Sequence, residues 1–228
     1  RFHGDMNVDL NEICTNLIPF PRLKFLMSAL SPQKLSNAKS AGSSGVSGDR
    51  ALVQRAFADI LSANGQITSA NPCERGCVTI ASAFLARGAI PLSDFLTCVT
   101  TAQSRSLHFP AWNENACKIG LCAMPAPGER MSVLGVYNST AFGSVLGREH
   151  ARFSQLFKRK AMLHHYMEFC DVESISEAGI NVSQAISDYK DIERNANTAN
   201  TDFDPSSGTR VKGREKGIKY TDQLFPAF

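Results

Sequence analysis

Two carboxylates stand close together at the start of the sequence, in the run Gly4-Asp-Met-Asn7-Val-Asp9-Leu-Asn-Glu12. Asp9 and Glu12 are three residues apart, and Asn16 follows four beyond Glu12. At about 100° per residue all three fall on one polar stripe of a helix, beside its apolar face rather than on it. An ionised carboxylate accepts hydrogen bonds and can orient or deprotonate a water molecule, which is the chemistry such a pair could perform. Two acids at a helix N-terminus also interact favourably with the helix dipole, and spacing alone favours that structural role.

The other candidates are weaker. Cys73 and Cys77 form C-x3-C, within the range of zinc ligands, but no second Cys or His pair lies at a matching distance. His164 and His165 are adjacent, which on a helix predicts rings pointing to different sides. The glycines of Ala41-Gly-Ser-Ser-Gly-Val-Ser-Gly48 are not followed by the Lys-Ser or Lys-Thr pair that a phosphate-binding loop requires. There is no nucleophile elbow, zinc-binding helix or complete nucleotide fingerprint. Seven cysteines, an odd number in a chain of this size, read as reduced, buried or half-buried thiols of a cytosolic protein. Asn138-Ser139-Thr140 and Asn181-Val182-Ser183 fit the glycosylation sequon, which carries little weight without a secretory signal.

Composition narrows the class. The chain has 228 residues, 43% of them hydrophobic and 20% charged, the balance of an ordinary globular protein and not of a disordered or fibrous one. A net charge of +3 is too small to imply nucleic acid or a membrane surface as partner. No apolar run approaches the ~18 residues that span a bilayer. The sequence begins with Arg1 inside a motif, and is expected to be a fragment.

The elements that must position the acids are legible in outline. Leu10, Ile13, Cys14 and Leu17 predict a helix over 8–18, stopped by Pro19 and Pro21. Leu23, Phe25, Met27 and Ala29 alternate as in a strand. Residues 31–48 read as a long flexible loop, and Asp49 as the cap of a helix with Val53, Phe57, Ile60 and Leu61 on its apolar side. The near-continuous apolar run 77–86 suits a strand covered on both faces. Pro91 opens a helix carrying Leu92, Phe95, Leu96 and Val99, and 117–123 and 131–137 are further strands around a Pro125–Gly128 turn. After Asn138 the pattern becomes helical: Phe142, Val145, Leu146, Phe153, Leu156 and Phe157 mark one helix. Ile175, Ala178, Val182, Ile186, Tyr189 and Ile192 mark another, with Ser174 and Glu177 as a capping box. Residues 207–228 carry five basic and two acidic side chains and read as a solvated end.

Several separate motifs together resemble the tubulin family. They are Asn7-Val-Asp9-Leu, Asn16-Leu-Ile-Pro-Phe-Pro-Arg22, Leu85-Ala-Arg87-Gly88, Phe109-x-x-Trp112-Asn113, Asn138-Ser-Thr140 and Lys158-Arg-Lys-Ala161-x-x-His-His-Tyr166, spread over roughly residues 1–194. Met6-Asn-Val-Asp-Leu-Asn-Glu12 and Lys160-Ala-Met-Leu-His-His-Tyr166 look most like the epsilon branch, which is associated with centrioles and basal bodies. The alpha branch is next closest at the first motif.

The resemblance implies an α/β fold: a mixed sheet with flanking helices over 1–138, the tubulin intermediate domain, then an antiparallel helical pair over 139–195, then a basic tail over 196–228 expected to be disordered. It implies that 1–16 faces the nucleotide of a longitudinal neighbour, with Gly4 and Asn7 approaching it. Asp9 and Glu12 would act on the water that attacks the terminal phosphate, in a GTPase site composed of two subunits. Beta-type subunits have lysine where this chain has Glu12. GTP and Mg2+ would be held by the neighbour and by an upstream nucleotide-binding domain, so that 1–228 alone should not hold GTP. Loop 31–48 would make lateral contacts, and the late helices would form the outer surface, open to centriolar proteins. The basic run Val211-Lys-Gly-Arg-Glu-Lys216 departs from the family's acidic tail. A different class of function stays open, a non-hydrolysing scaffold whose acidic pair only caps a helix, as does an alpha-like microtubule subunit.

Overall fold

In the computed structural model, which describes residues 10–32, 46–113 and 116–201, the apolar run becomes β2 (Thr79–Gly88), an inner strand of a four-stranded sheet. β1 (Met27–Ser31), β3 (Cys117–Cys122) and β4 (Met131–Ser139) complete the sheet in the order β1-β4-β2-β3. β2 pairs antiparallel with β4 and parallel with β3, so the sheet is mixed. Most of β2 is buried, which is why its sequence is continuously apolar instead of alternating.

On one face lie α2 (Val46–Leu61) and α3 (Leu92–Arg105). Phe57 of α2 sits at the centre of that core, its ring centroid 5.4 Å from those of both Phe84 and Phe95. Phe84 in turn meets Tyr137 edge-on at 5.8 Å. Alternation along β2 sends Ala81 and Ala83 the other way, under α1 (Leu10–Leu17), where Leu17 is buried and Ile13 half-buried against them. An irregularity between Thr79 and Ala81 breaks the alternation, and Ile80 packs with Leu23 and Tyr189.

α4 (Phe142–Lys158) and α6 (Val172–Thr201), joined through the single turn of α5 (Leu163–Tyr166), pack against each other and run antiparallel. Gly143 faces Tyr189, while Gly179 faces Phe153. A Cβ on Gly179 would lie 2.7 Å from the Phe153 ring, so this mid-helix glycine permits the close approach of the two helices.

Several local expectations shift. The strand begins at Met27, not Leu23, because the Leu23 side chain is buried off the sheet and its carbonyl accepts from Asn138 instead of a ladder partner. The described part of α2 already includes Val46, so Asp49 lies within the helix and not at its cap. α6 starts at Val172, which places Ser174 inside the first turn instead of at the cap of a Ser174–Glu177 box. β3 and β4, consecutive in sequence, are separated by β2. The intervening connection passes over the end of β2, where Arg87 Nε donates to the Met124 carbonyl at 3.3 Å. Residues 33–45, most of the expected loop, and 202–228, most of the basic tail, lie outside the described residues.

That crossing makes one position intolerant. Gly88 has φ +115°, and a Cβ there would meet the Arg130 carbonyl oxygen at 2.4 Å. Gly88→Ala is expected to lower the unfolding free energy by about 1–3 kcal/mol, the scale of a strained backbone position. Urea denaturation checks it, and an unchanged midpoint would mean that the connection yields freely.

Candidate functional site

α1 is held by its apolar face and by its C-terminal end. Ile13 and Leu17, four residues apart, rest on the small side chains Ala81 and Ala83, which let the helix approach the sheet closely. At the C-terminal end the buried Asn138 amide donates from Nδ2 to the Leu17 carbonyl at 2.8 Å and to the Leu23 carbonyl at 2.9 Å. The chain can leave the helix at Pro19 because these orphaned carbonyls find a side-chain donor. Thr140 completes the junction, its Oγ1 accepting from the Val78 N–H at 2.9 Å. Asn138 is fully buried, so the first sequon cannot carry a glycan.

With that face down, Glu12 and Asn16 point away from the core and are exposed. Asn16 Nδ2 donates to the Glu12 carbonyl at 2.7 Å, within the helix. The Glu12 side chain is 53% exposed, as its place off the apolar stripe predicts. It is not free: Lys118 Nζ of β3 donates to Oε1. Strand register explains the meeting. Lys118 is the β3 partner of Ala83, and Ala83 lies beneath α1. The Lys118 side chain is only 21% exposed, so the pair joins a largely covered lysine to a half-exposed glutamate. Asp9, Gly4 and Asn7 lie outside the described residues.

The remaining polar groups offer less. All seven cysteines are free thiols. Burial pushes Cys73 up to about 11 and raises Cys77, Cys98 and Cys117, so these four stay protonated at neutral pH and supply no thiolate. Cys14, Cys122 and Cys170 are exposed, against the expectation that all seven are at least half-buried. The rings of His164 and His165 converge, with centroids 4.0 Å apart, because a single exposed turn does not hold them to opposite sides. Among the described residues no group of three His, Cys, Asp or Glu side chains could hold a metal. A groove between α4 and α6 is lined by His150, Phe153, Phe157, Lys158 and Gly179.

Of the expected loop 31–48, the described part begins at Ser31, whose Oγ donates to Asp59 Oδ2 of α2 at 3.2 Å and anchors the strand end. Sequence reasoning missed two residues around α1. Lys118 carried no signal, and Asn138 was visible only as part of a motif, not as the amide that clamps the helix.

A family model described as "Tubulin C-terminal domain" matches residues 21–150. The tubulin epsilon chain of Mus musculus is 34% identical over 196 residues, covering 85% of this chain and 39% of that protein. The epsilon chain of Homo sapiens is 33% identical over 200 residues, covering 86% and 40%. The tubulin beta chain of Enteroctopus dofleini is 30% identical over 206 residues, covering 90% and 44%. The chain thus spans about two fifths of the length of the curated relatives it matches.

Proposed function

The chain belongs to the tubulin family, and on that premise we propose that it is part of an epsilon-like subunit whose assembly depends on GTP. Residues 1–138 are read as the intermediate domain and 139–195 as the C-terminal helical part. The observation that carries the reading is the exposed Glu12 carboxylate, displayed on a helix that packing and Asn138 fix to the sheet. In this reading 1–16 meets a longitudinal neighbour. Glu12, with Asp9, orients the water that attacks the terminal phosphate of the neighbour's GTP, while Gly4 and Asn7 approach that nucleotide. Phosphoryl transfer depends chiefly on positioning and electrostatics, which a rigidly mounted carboxylate can supply.

Mg2+ is assigned, with GTP, to the nucleotide-binding domain and the neighbouring subunit, and no step here runs through it. Segment 31–48 serves lateral contact, with Ser31 fixed to α2 at its start. The outer faces of α4 and α6 are open to partner proteins. The setting proposed is the cytoskeleton, around centrioles and basal bodies, on the strength of the epsilon-like runs 6–12 and 160–166.

The Glu12–Lys118 ion pair favours a second reading, a non-hydrolysing scaffold subunit in which Glu12 only ties α1 to β3. Assembly-coupled hydrolysis separates the two. Full-length protein assembled with other tubulin subunits is expected to release phosphate faster than the same protein kept unassembled. The 228-residue chain alone is expected to give no saturable, magnesium-dependent GTP signal in calorimetry. Equal phosphate release with and without assembly would leave the scaffold reading.

A further inference from the structure

The ion pair under α1 is asymmetric. Lys118 Nζ engages Oε1 of Glu12, and among the described residues Oε2 has no hydrogen-bond partner. The Lys118 side chain is mostly covered while that of Glu12 is about half exposed, so the lysine lies nearer the sheet and the glutamate nearer solvent. Lys118 itself is fixed by a ladder, since β3 runs parallel to β2 in unbroken register from Ser82–Cys117 to Arg87–Cys122. A glutamate on an exposed helix turn samples several rotamers, and a charge-assisted hydrogen bond from a strand-mounted cation selects among them.

We propose that Lys118 is a positioning residue for hydrolysis: it binds one carboxylate oxygen of Glu12 and leaves the other directed outward to receive the attacking water. The proposal rests on the reading of Glu12 given above. In the step it serves, the water oxygen bonds the terminal phosphorus of GTP. The bond to the bridging oxygen breaks with its electron pair going to GDP, and the water's proton leaves to solvent with the phosphate. Lys118 touches none of the reacting atoms and acts through Glu12 alone.

The test is a double-mutant cycle in the full-length protein, read as single-turnover phosphate release within assembled polymer. Lys118→Met, which keeps the stem and removes the charge, is expected to slow release roughly 10–100-fold, the scale of a misplaced reacting group, with GTP affinity unchanged. Lys118→Arg, which retains a cationic donor, is expected to restore most of the rate. In the Glu12→Ala background, Lys118→Met is expected to change the rate by no more than about twofold, the ordinary error of additivity. Thermal melts report folding, and Lys118→Gln replaces Lys118→Met if that variant does not melt cooperatively.

A normal rate for Lys118→Met beside a slow Glu12→Ala would overturn the positioning role and leave the Glu12 reading intact. The same penalty from Lys118→Met with and without Glu12 would overturn it too, since the lysine would then act on its own. A normal rate for Glu12→Ala would remove the reading of Glu12 itself, and the inference with it.

Discussion

Asn138→Ala is expected to lower the unfolding free energy by about 2–4 kcal/mol, because it strands two buried carbonyls at once. The Asn138 side chain is fully buried and its amide nitrogen serves Leu17 at the end of α1 and Leu23 in the following segment. Each orphaned acceptor costs about 1–3 kcal/mol. The loss falls short of the full sum because Oδ1 of the same side chain is buried without a partner among the described residues, and alanine removes that burden. Asn138→Asp separates hydrogen bonding from packing. It keeps the shape but loses both donors and aims a carboxylate at two carbonyl oxygens, so it is expected to destabilise at least as much as alanine. Urea denaturation of the two variants checks this. A wild-type midpoint for Asn138→Asp would mean that the amide's bonds to α1 and the Leu23 segment do not matter.

These two bonds show what a sequence reading reaches and what it leaves. Helix α1 was legible because Ile13 and Leu17 recur at helical spacing and Pro19 closes it; β2 was legible because a strand buried on both faces must be apolar throughout. The exposure of Glu12 followed from its angular position on the same helix. Local pattern carried all three. The partners of α1 were not legible because they arrive through the sheet. Asn138 is 121 residues from Leu17, and Lys118 is 106 from Glu12. Lys118 reaches Glu12 because β3 pairs parallel with β2, with Lys118 opposite Ala83. The parallel pairing of β2 and β3 follows from their connection through α3, but the register that sets Lys118 opposite Ala83, beneath α1, is fixed by packing and leaves no local signal in the sequence. The Ser174–Glu177 box failed for a related reason: the residue types fit a cap, but the helix starts three residues earlier than that cap requires.

On the proposed reading of Glu12 as the residue that orients the attacking water, Glu12→Ala is expected to leave folding intact and to slow GTP hydrolysis in assembled polymer by about 10²-fold or more, the scale of losing a positioned acid or base. Folding should survive because the side chain is half exposed and lies off the Ile13–Leu17 face that holds α1 down. The ion pair it gives up joins an exposed partner to a partly covered one, a geometry worth at most about 1 kcal/mol. The kinetic cost is larger than the stability cost because an oriented water at a phosphorus centre depends on its hydrogen-bond acceptor in the transition state, where the exposed pair's modest ground-state energy is not the measure. Glu12→Gln refines the result. It keeps a hydrogen-bonding side chain of the same size but loses the charge that draws the Lys118 ammonium, so it is expected to fall between wild type and alanine. Polymers of the alanine variant should accumulate in the GTP form, visible as unhydrolysed nucleotide recovered from pelleted assemblies. Unchanged turnover in the alanine variant, with assembly confirmed in the same sample, would return Glu12 to the role of a helix-dipole partner tied to Lys118 and nothing more.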